Sequence, residues 1–387
     1  MCNTRSYTII VGSKEFFTNK LSKKCNVSLL DSKNDFLSMV RKHEEYNKSI
    51  VIRGLPNTTI DKFERSDIMV VRNDDYHGIT DTAHDRLGAL IEDLTTDTAQ
   101  IFVHNPTKLY TDYLEKLNAK GQIQLICEQE QYAPLGNAQR FANNIADISK
   151  IVIGQDAAIN EIGKSMWYLT RINPTKPFII MLYGKSGVGK TEMVRAIAKK
   201  FYNSKVLEKH LSMFKNDINS YYIFGDRPNR TSIGFDLLQR ESNIVFFDEF
   251  DKLPEYFRSV FYTLFDNTLF SDTTYSVDIS RLLIFLTSNY NNQDEMKEHL
   301  GLPIYYRIDK FIHFDDFSEE TIYRIAKNEI DKHVAESDGS INADDLYARV
   351  SNKLMAKGEN ARTIKNTVLC EVENLLFEEV FSKAWSR

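Results

Sequence analysis

The sequence has few cysteines, no long apolar run and no excess of positive charge. Its four cysteines lie far apart with no Cys-x-x-Cys pair, which argues against a structural zinc site and suits reduced thiols. No apolar run approaches the roughly 20 residues that span a bilayer, and the N-terminus lacks a signal-peptide core. The formal net charge of −5 argues against a protein that coats nucleic acid. These absences predict a soluble cytoplasmic protein without a membrane segment.

The first part of the chain, residues 1–145, alternates short apolar runs with helix-like stretches. This alternation predicts a small doubly wound α/β domain with a mostly parallel sheet. One helix candidate has Pro106 where a first helical turn tolerates proline and Gly121 as a stop. Six runs are predicted to be strands: 6–12, 26–31, 49–54, 67–73, 99–105 and 123–129.

Residues 1–145 carry little chemistry that points to a ligand. Gly12 and Ser13 follow the first strand but do not form the glycine-rich fingerprint of a dinucleotide site. His77, Asp81 and His84 recur at helical spacing, which suits either a metal site or, as we interpret it, a solvated helix face. We expect this domain to recognise a partner.

The stretch MLYGKSGVGKTEM at 181–193 has the spacing Gly-x4-Gly-Lys-Thr between a buried-strand run and a run with helical spacing. Glycines let such a turn aim several backbone N–H groups at one phosphate, and the helix N-terminus adds positive potential. Lys190 would reach the β- and γ-phosphates, and the Thr191 hydroxyl would ligate Mg²⁺. The predicted nucleotide-binding residues are Gly184, Lys185, Ser186, Gly187, Val188, Gly189, Lys190 and Thr191.

Two later strand-like runs end in polar residues. Within 243–252, four apolar residues are followed by Asp248 and Glu249; the aspartate can hold the water shell of Mg²⁺, and the glutamate can polarise the attacking water. Within 281–290, the apolar residues are followed by Thr-Ser-Asn, where Asn289 could orient that water. The Asp-Glu pair favours hydrolysis over phosphoryl transfer to a second substrate.

In order and spacing, these pieces resemble the AAA+ ATPases, specifically the Clp branch with its ClpX and second-ring modules. The resemblance runs from about residue 151 to the end and implies an α/β P-loop AAA+ module over 146–314 with a helical lid over 315–387. The matching stretches are IVIGQDAAI, GKSGVGKTEM, FFDEFDKL, LFDNTLFSDTTYSVDISRLLIFLTSN, GLPIYYRID and GENARTIKN.

The resemblance also implies roles for single residues. Val152 and Ile153 would contact the adenine, Asn289 would be sensor 1, and Arg362 would lie over the nucleotide of its own subunit. Arg307 would be the arginine finger that reaches the γ-phosphate of the neighbouring subunit. A finger supplied in trans implies a homo-oligomeric ring, most simply a hexamer, that uses ATP and Mg²⁺.

The stretch 221–238 departs from the family. Clp unfoldases carry a glycine-aromatic-hydrophobic-glycine loop there, whereas this chain reads YYIFGDRPNRTSIGFDLL. Tyr221, Tyr222 and Phe224 have a strand-like spacing that predicts core packing. Threading of polypeptide is therefore the part of the resemblance with least support.

A peptidase-docking tripeptide is also missing from its usual place. Ile233-Gly234-Phe235 has the right residue types but stands on another loop, and Gly301 in Leu-Gly-Leu reads as the end of a helix. The sequence thus argues against a peptidase partner.

Three functions fit these observations. The leading hypothesis is a Clp-like ATPase ring that remodels a protein partner recruited by residues 1–145. The alternative is an ATP-gated switch or scaffold that activates a partner without threading. A third function, a nucleic-acid motor, is suggested by Lys215, Arg227 and Arg230 near the presumed pore. The negative net charge and the lack of aromatic residues interspersed among basic ones argue against it.

Overall fold

The computed structural model of the chain describes residues 4–25, 33–52, 63–132, 135–214, 220–225, 227–228, 230–337, 341–354 and 359–385. These residues form two compact units. The first is drawn from Met1–Tyr132, Lys215–Asn243 and Ser259–Ser280, and the second from Ala133–Phe214, Ile244–Arg258 and Arg281–Arg387.

The two units do not follow the order of the chain. Two stretches that the sequence assigned to the module at 146–314, residues 215–243 and 259–280, belong to the same unit as the N-terminal residues. The division at 145/146 and 314/315 remains a proposal.

The first unit contains a doubly wound α/β domain, as predicted. Its strands pair in parallel in the order β2-β3-β1-β4. Helix α1 packs on one face of the sheet, and α2, α4 and α5 pack on the other. The elements are β1 (Ser6–Val11), α1 (Lys14–Lys24), α2 (Phe36–Ile52), β2 (Ser66–Val71), α3 (Asp81–Asp85), α4 (Leu87–Leu94), β3 (Thr95–His104), α5 (Lys108–Ala119) and β4 (Gln124–Gln129).

One of the six predicted strands is wrong. Residues 49–52 are the last turn of α2, a helix that begins at Phe36. Once a helix is started, each added residue gains a hydrogen bond, and this outweighs the weak strand preference of three β-branched residues. The run 26–31 lies outside the described residues.

Helix α5 differs in detail from its prediction. It begins at Lys108, with the Thr107 side chain accepting a hydrogen bond from the Tyr110 backbone N–H, so Pro106 precedes the first turn. Gly121 follows the helix with a φ of +69° and ends it as expected.

The rest of the first unit is built around a β-hairpin. Its elements are α9 (Ser220–Phe224), α10 (Ile233–Leu238), nearly all of α11 (Arg258–Asp266), β8 (Leu269–Ser271) and β9 (Ser276–Asp278). The buried carboxylate of Asp272 accepts hydrogen bonds from the Ser232 hydroxyl at 2.6 Å and from the Tyr275 backbone N–H at 2.6 Å. Its backbone carbonyl accepts one from the Lys108 ammonium. Asp272 therefore ties the hairpin both to α10 and to the N-terminal domain.

The predicted core packing is wrong for two of the three aromatic residues in α9, whereas Tyr222 is half-buried and its hydroxyl donates to Asp236 at 2.7 Å. Tyr221 is 44% exposed and Phe224 is 42% exposed, because residues three apart in a helix share one face. Ile223 is the buried residue of this helix.

The second unit is built on a five-stranded parallel sheet. Its elements are α6 (Ala138–Ile151), α7 (Asp156–Leu169), β5 (Phe178–Tyr183), α8 (Lys190–Tyr202), β6 (Leu207–His210), β7 (Ile244–Asp248), β10 (Leu283–Ser288), α12 (Gln293–Leu300), α13 (Leu302–Tyr305), β11 (Lys310–His313), α14 (Glu319–Glu336), α15 (Ala343–Lys353) and α16 (Ala361–Trp385). The strand order is β11-β5-β10-β7-β6. Strands β7 and β10 are buried along their whole length, as expected for a parallel sheet covered on both faces.

The last three helices form a small bundle. Helices α14, α15 and α16 pack around one apolar cluster that includes Ile330, Leu346 and Val368. This is the predicted C-terminal helical part. Across the described residues, no helix combines the length and apolarity needed to cross a bilayer.

Candidate functional site

The second unit brings the ends of four parallel strands to one edge of its sheet. Strands β5, β10, β7 and β6 lie side by side in that order. Ser288 pairs with Tyr183, and His210 pairs with Asp248. The loop after β5, Asn289 after β10 and Asp248 at the end of β7 therefore lie next to one another.

The loop after β5 has the conformation that its glycines permit. Gly184, Gly187 and Gly189 have φ values of +133°, +80° and +104°. A Cβ on Gly184 would lie 2.4 Å from the Phe314 carbonyl oxygen, so no other residue fits there. Helix α8 begins directly after Gly189, which has no side chain to cap it. The first-turn N–H groups can therefore bind an anion.

The Lys190 ammonium is buried and points back into this loop. Its Nζ donates to the carbonyl oxygens of Gly184 and Lys185, both at 2.6 Å, and to Asn289 Oδ1 at 3.2 Å. Burial lowers the pKa of Lys190 to about 8, an effect that the carboxylates of Asp251 and Asp248 oppose. A bound phosphate group would restore the full charge of this lysine.

Thr191 and Asp248 offer a set of oxygen ligands. The Thr191 hydroxyl lies 3.3 Å and 3.2 Å from the two carboxylate oxygens of Asp248. The Thr287 hydroxyl donates to Asp248 Oδ1. Mg²⁺ prefers such oxygen donors and retains part of its water shell, so these residues fit a nucleotide-bound magnesium ion.

Glu249 is held in an uncommon backbone conformation. Its φ is +58° and its ψ is 47°, a left-handed conformation that costs a non-glycine residue free energy. Its backbone N–H donates to the Thr287 hydroxyl at 2.9 Å. Such strain persists where the surrounding structure imposes it, and here it directs the carboxyl group toward the same cavity as Asp248.

A cavity of about 400 Å³ connects these residues with the helical part of the unit. The backbone N–H of Ala361 donates to the Gly187 carbonyl at 3.0 Å, so the start of α16 lies against the loop after β5. The lining residues are Ser186, Gly187, Gly189, Lys190, Thr191, Glu192, Asp248, Glu249, Thr287, Asn289, Ala361, Arg362, Lys365 and Asn366.

Six predicted site residues are not among those that line this cavity: Val152, Ile153, Gly184, Lys185, Val188 and Arg307. Arg307 donates to the Pro303 carbonyl at 2.6 Å and is not among the lining residues. Val152 is buried, 3.5 Å from where a Cβ on Gly189 would lie, and Ile153 is half-buried. Their predicted roles toward a nucleotide stay predictions.

Sequence reasoning missed several residues of the site. The buried Gln155 amide donates to the carbonyls of Val188 at 3.2 Å and Asp315 at 2.9 Å, so it links the loop to the start of the helical part. Thr287 holds both Asp248 and the Glu249 backbone. Both residues belong to stretches that the sequence analysis quoted, IVIGQDAAI and LTSN. The only sequence signal for their role was a polar residue next to apolar ones.

The minor candidates in the first unit are engaged by the protein itself. Glu130 accepts hydrogen bonds from the Ser13 backbone N–H at 2.6 Å and hydroxyl at 3.1 Å. A carboxylate thus occupies the N-terminus of α1, where a dinucleotide phosphate would have to bind. The His84 ring lies 2.8 Å from the Tyr76 carbonyl and is buried, so the solvated-face interpretation is wrong for this residue.

The fold and the cavity define a P-loop nucleotide-binding module. In a comparison with known proteins, residues 180–315 match the ATPase family associated with various cellular activities (AAA). Together with similar proteins, this match supports the AAA+ ATPase module of the Clp branch that the sequence motifs predicted, and with it the predicted enzyme class, an ATPase.

Similar curated proteins support the Clp branch. The chain is 23% identical to an ATP-dependent Clp protease ATP-binding subunit ClpA homolog of Porphyra purpurea over 60% of this chain and 34% of that protein. It is 25% identical to the chaperone protein ClpB of Mycoplasmoides gallisepticum over 70% and 42%. It is 24% identical to the negative regulator of genetic competence ClpC/MecB of Bacillus subtilis over 59% and 34%. The chain thus spans about a third to two fifths of the length of these relatives.

The buried Lys190 makes ATP affinity depend on pH. Phosphate oxygens raise the pKa of this lysine, so above pH 8 the complex holds a proton that the free protein has lost. We expect the Kd for ATP, measured by isothermal titration calorimetry, to rise by about tenfold per pH unit well above pH 8.

Two variants control this measurement. An arginine keeps its charge at every accessible pH, so Lys190→Arg should make the Kd for ATP nearly independent of pH. Lys185→Ala removes an exposed lysine of the same loop and should leave the pH dependence as in the wild type. A wild-type Kd that is constant from pH 7 to pH 9.5 would contradict the assignment.

Proposed function

We propose that this chain forms an ATP-hydrolysing ring, most simply a hexamer, which remodels a protein partner recruited through residues 1–145. The observation that carries the proposal lies in the first unit. There the segment at the place of the family's substrate-gripping loop folds together with the N-terminal domain. A partner bound to that domain would therefore act directly on this segment.

Three contacts make this link within the first unit. The Arg227 guanidinium pairs with Asp81 at 3.1 Å. The rings of His77 and Phe235 lie 5.1 Å apart. The Lys108 backbone N–H, at the start of α5, donates to the Thr274 carbonyl of the hairpin at 2.9 Å. The link thus combines a side-chain ion pair, an aromatic contact and a backbone hydrogen bond.

The residues of the cavity would divide the work of hydrolysis. The loop N–H groups and Lys190 hold the phosphates, and Thr191 and Asp248 hold Mg²⁺, which when bound neutralises phosphate charge. Glu249 takes the proton of the attacking water, while Asn289, 3.2 Å from Lys190, orients that water against the γ-phosphate. Arg362 covers the nucleotide from α16.

Arg307 supports assembly into a ring. It carries a charge suited to a γ-phosphate, yet it does not line the cavity of its own chain. Its role as a finger therefore requires a neighbouring subunit, and an isolated subunit would be a poor ATPase. The cofactors in this proposal are ATP and Mg²⁺, and the place of action is the cytoplasm.

The second candidate is an ATP-gated switch that activates its partner without threading. It is favoured by the segment 221–238, which lacks a glycine-aromatic-hydrophobic-glycine loop. It is also favoured by the burial of Ile233 and Phe235 within α10, where they offer no docking tripeptide to a peptidase. Remodelling remains the leading proposal because Tyr221 and Phe224 are exposed and could contact a protein partner.

A nucleic-acid motor receives less support. Arg227 pairs with Asp81, and the Arg230 guanidinium lies over the Tyr221 ring, 4.6 Å from its centre. Lys215 lies outside the described residues. Two of the basic groups that suggested this function are thus engaged within the first unit.

The first test separates nucleotide binding from hydrolysis. Glu249→Gln should bind ATP with unchanged affinity but turn it over at least about 100-fold more slowly, because an amide cannot accept the proton. Lys190→Ala should lose binding itself. Calorimetry and a phosphate-release assay measure the two, with Glu255→Gln as a matched acidic control outside the cavity. Turnover by Glu249→Gln near the wild-type rate would disprove the assigned base.

The second test concerns the arginine finger. Arg307→Ala should bind ATP normally and lose about 10³-fold or more in turnover. Mixing it with Lys190→Ala subunits should restore part of the activity, because some interfaces then pair an intact loop with an intact finger. If rings confirmed to be mixed show no rescue, Arg307 does not act across the interface.

The third test distinguishes a dedicated remodeller from a general unfoldase. A stable fluorescent protein with an unstructured tail should neither lose its fluorescence nor stimulate ATP turnover. If ATP-driven unfolding is seen instead, and is lost in Tyr221→Ala/Phe224→Ala while basal turnover is kept, these aromatics thread polypeptide and both proposals above give way to an ordinary unfoldase.

A further inference from the structure

His210 lies beside Asp248, a lining residue of the nucleotide cavity, and has no part in the chemistry described so far. We propose that His210 is a positioning residue that holds the carboxylate of Asp248 in its magnesium-binding orientation. The proposal rests on the proposed function of this cavity and assigns a residue that no motif in the sequence marks.

The strand register places His210 beside Asp248. His210 is the last residue of β6, and its partner in the neighbouring parallel strand is Asp248, the last residue of β7. The His210 Nδ1 lies 3.4 Å from Asp248 Oδ2. The side chain of His210 is 43% exposed, whereas that of Asp248 is 11% exposed. A more exposed histidine therefore lies against a largely buried carboxylate that also lines the cavity.

The two oxygens of Asp248 are held by different groups. Thr287 donates to Oδ1 from the neighbouring strand β10, and His210 faces Oδ2 from the strand on the other side. The Thr191 hydroxyl lies close to both oxygens. Thr191 would be engaged by a bound Mg²⁺, and the Thr287 and His210 contacts would then still restrain the carboxylate.

A second contact restricts the orientation of the His210 ring. Its Nε2 lies 3.3 Å from Glu208 Oε1, two residues earlier on the same face of β6. Glu208 in turn accepts hydrogen bonds from the Arg195 Nη2 at 2.6 Å and Nε at 3.3 Å. Arg195 lies one helical turn after Thr191 on α8. The contacts thus form a closed circuit from α8 through β6 and β7 back to α8.

These contacts suit residues that orient the metal-binding Asp248. They suit a second metal site less well. Ligand atoms of Glu208, His210 and Asp248 lie within 4.8 Å of one another, which would suit a cation. However, the Arg195 guanidinium engages both oxygens of Glu208 and places a positive charge beside the cluster. Partners that orient a metal-binding carboxylate typically change metal affinity by about 10- to 100-fold.

The experiment measures how much Mg²⁺ strengthens ATP binding. In a Glu249→Gln background, where ATP is not consumed, the Kd for ATP is determined with EDTA and with saturating Mg²⁺. The ratio of the two values should fall by about tenfold in His210→Ala, with the EDTA value unchanged. His210→Asn should keep most of the ratio, because its amide N–H can occupy the position of Nδ1. Glu208→Gln should give an intermediate loss.

Controls separate the possible failures. His333→Ala removes a histidine that lies near the carboxylates of Glu329 and Glu336 on α14, and it should leave the ratio unchanged. An unchanged ratio in His210→Ala and Glu208→Gln would overturn the proposal. If His210→Ala does not fold, a ratio in Glu208→Gln equal to that of the background protein overturns it equally. Absence of ATP binding in the background protein would instead refute the proposed function of the cavity.

Discussion

The site depends on the parallel pairing of β5, β10, β7 and β6, which brings their carboxyl ends to one edge of the sheet. A slip of β7 by one residue would move Asp248 by about 3.3 Å, enough to separate it from Thr191, Thr287 and His210 together. The complete burial of β7 and β10 opposes such a slip, because close-packed side chains tolerate little displacement. The precision of the cavity is thus derived from the apolar core beneath it.

A second constraint acts on the loop after β5. A lysine ammonium is costly to bury, and here two backbone carbonyls and the Asn289 amide oxygen partly replace its water. These are weaker partners than phosphate oxygens. An anion would therefore displace these partners of Lys190 readily. The same burial that lowers the pKa of Lys190 also strengthens its attraction to that anion.

Much of the second unit could be predicted from the sequence, because its signals are local. The buried-strand runs, the three glycines and the Asp-Glu pair each depend on neighbouring residues, and parallel topology then brings Gly189, Asp248 and Asn289 together. His210 could not be found in this way, since its partner lies 38 residues away and only the register joins them. Nor could the folding of 215–243 with the N-terminal residues be foreseen, because Arg227 and Asp81 are joined only in three dimensions.

The division of the chain between its units has a consequence for how the protein can be dissected. The boundaries at 132/133, 214/215, 243/244, 258/259 and 280/281 mean that the polypeptide passes between the units five times. Deletion of residues 1–145 would strip α10 and the hairpin of their packing partners and expose Phe235 and Tyr275, both now buried. The N-terminal domain is therefore not a detachable part of the chain, because it packs against segments that follow it by more than a hundred residues in the sequence.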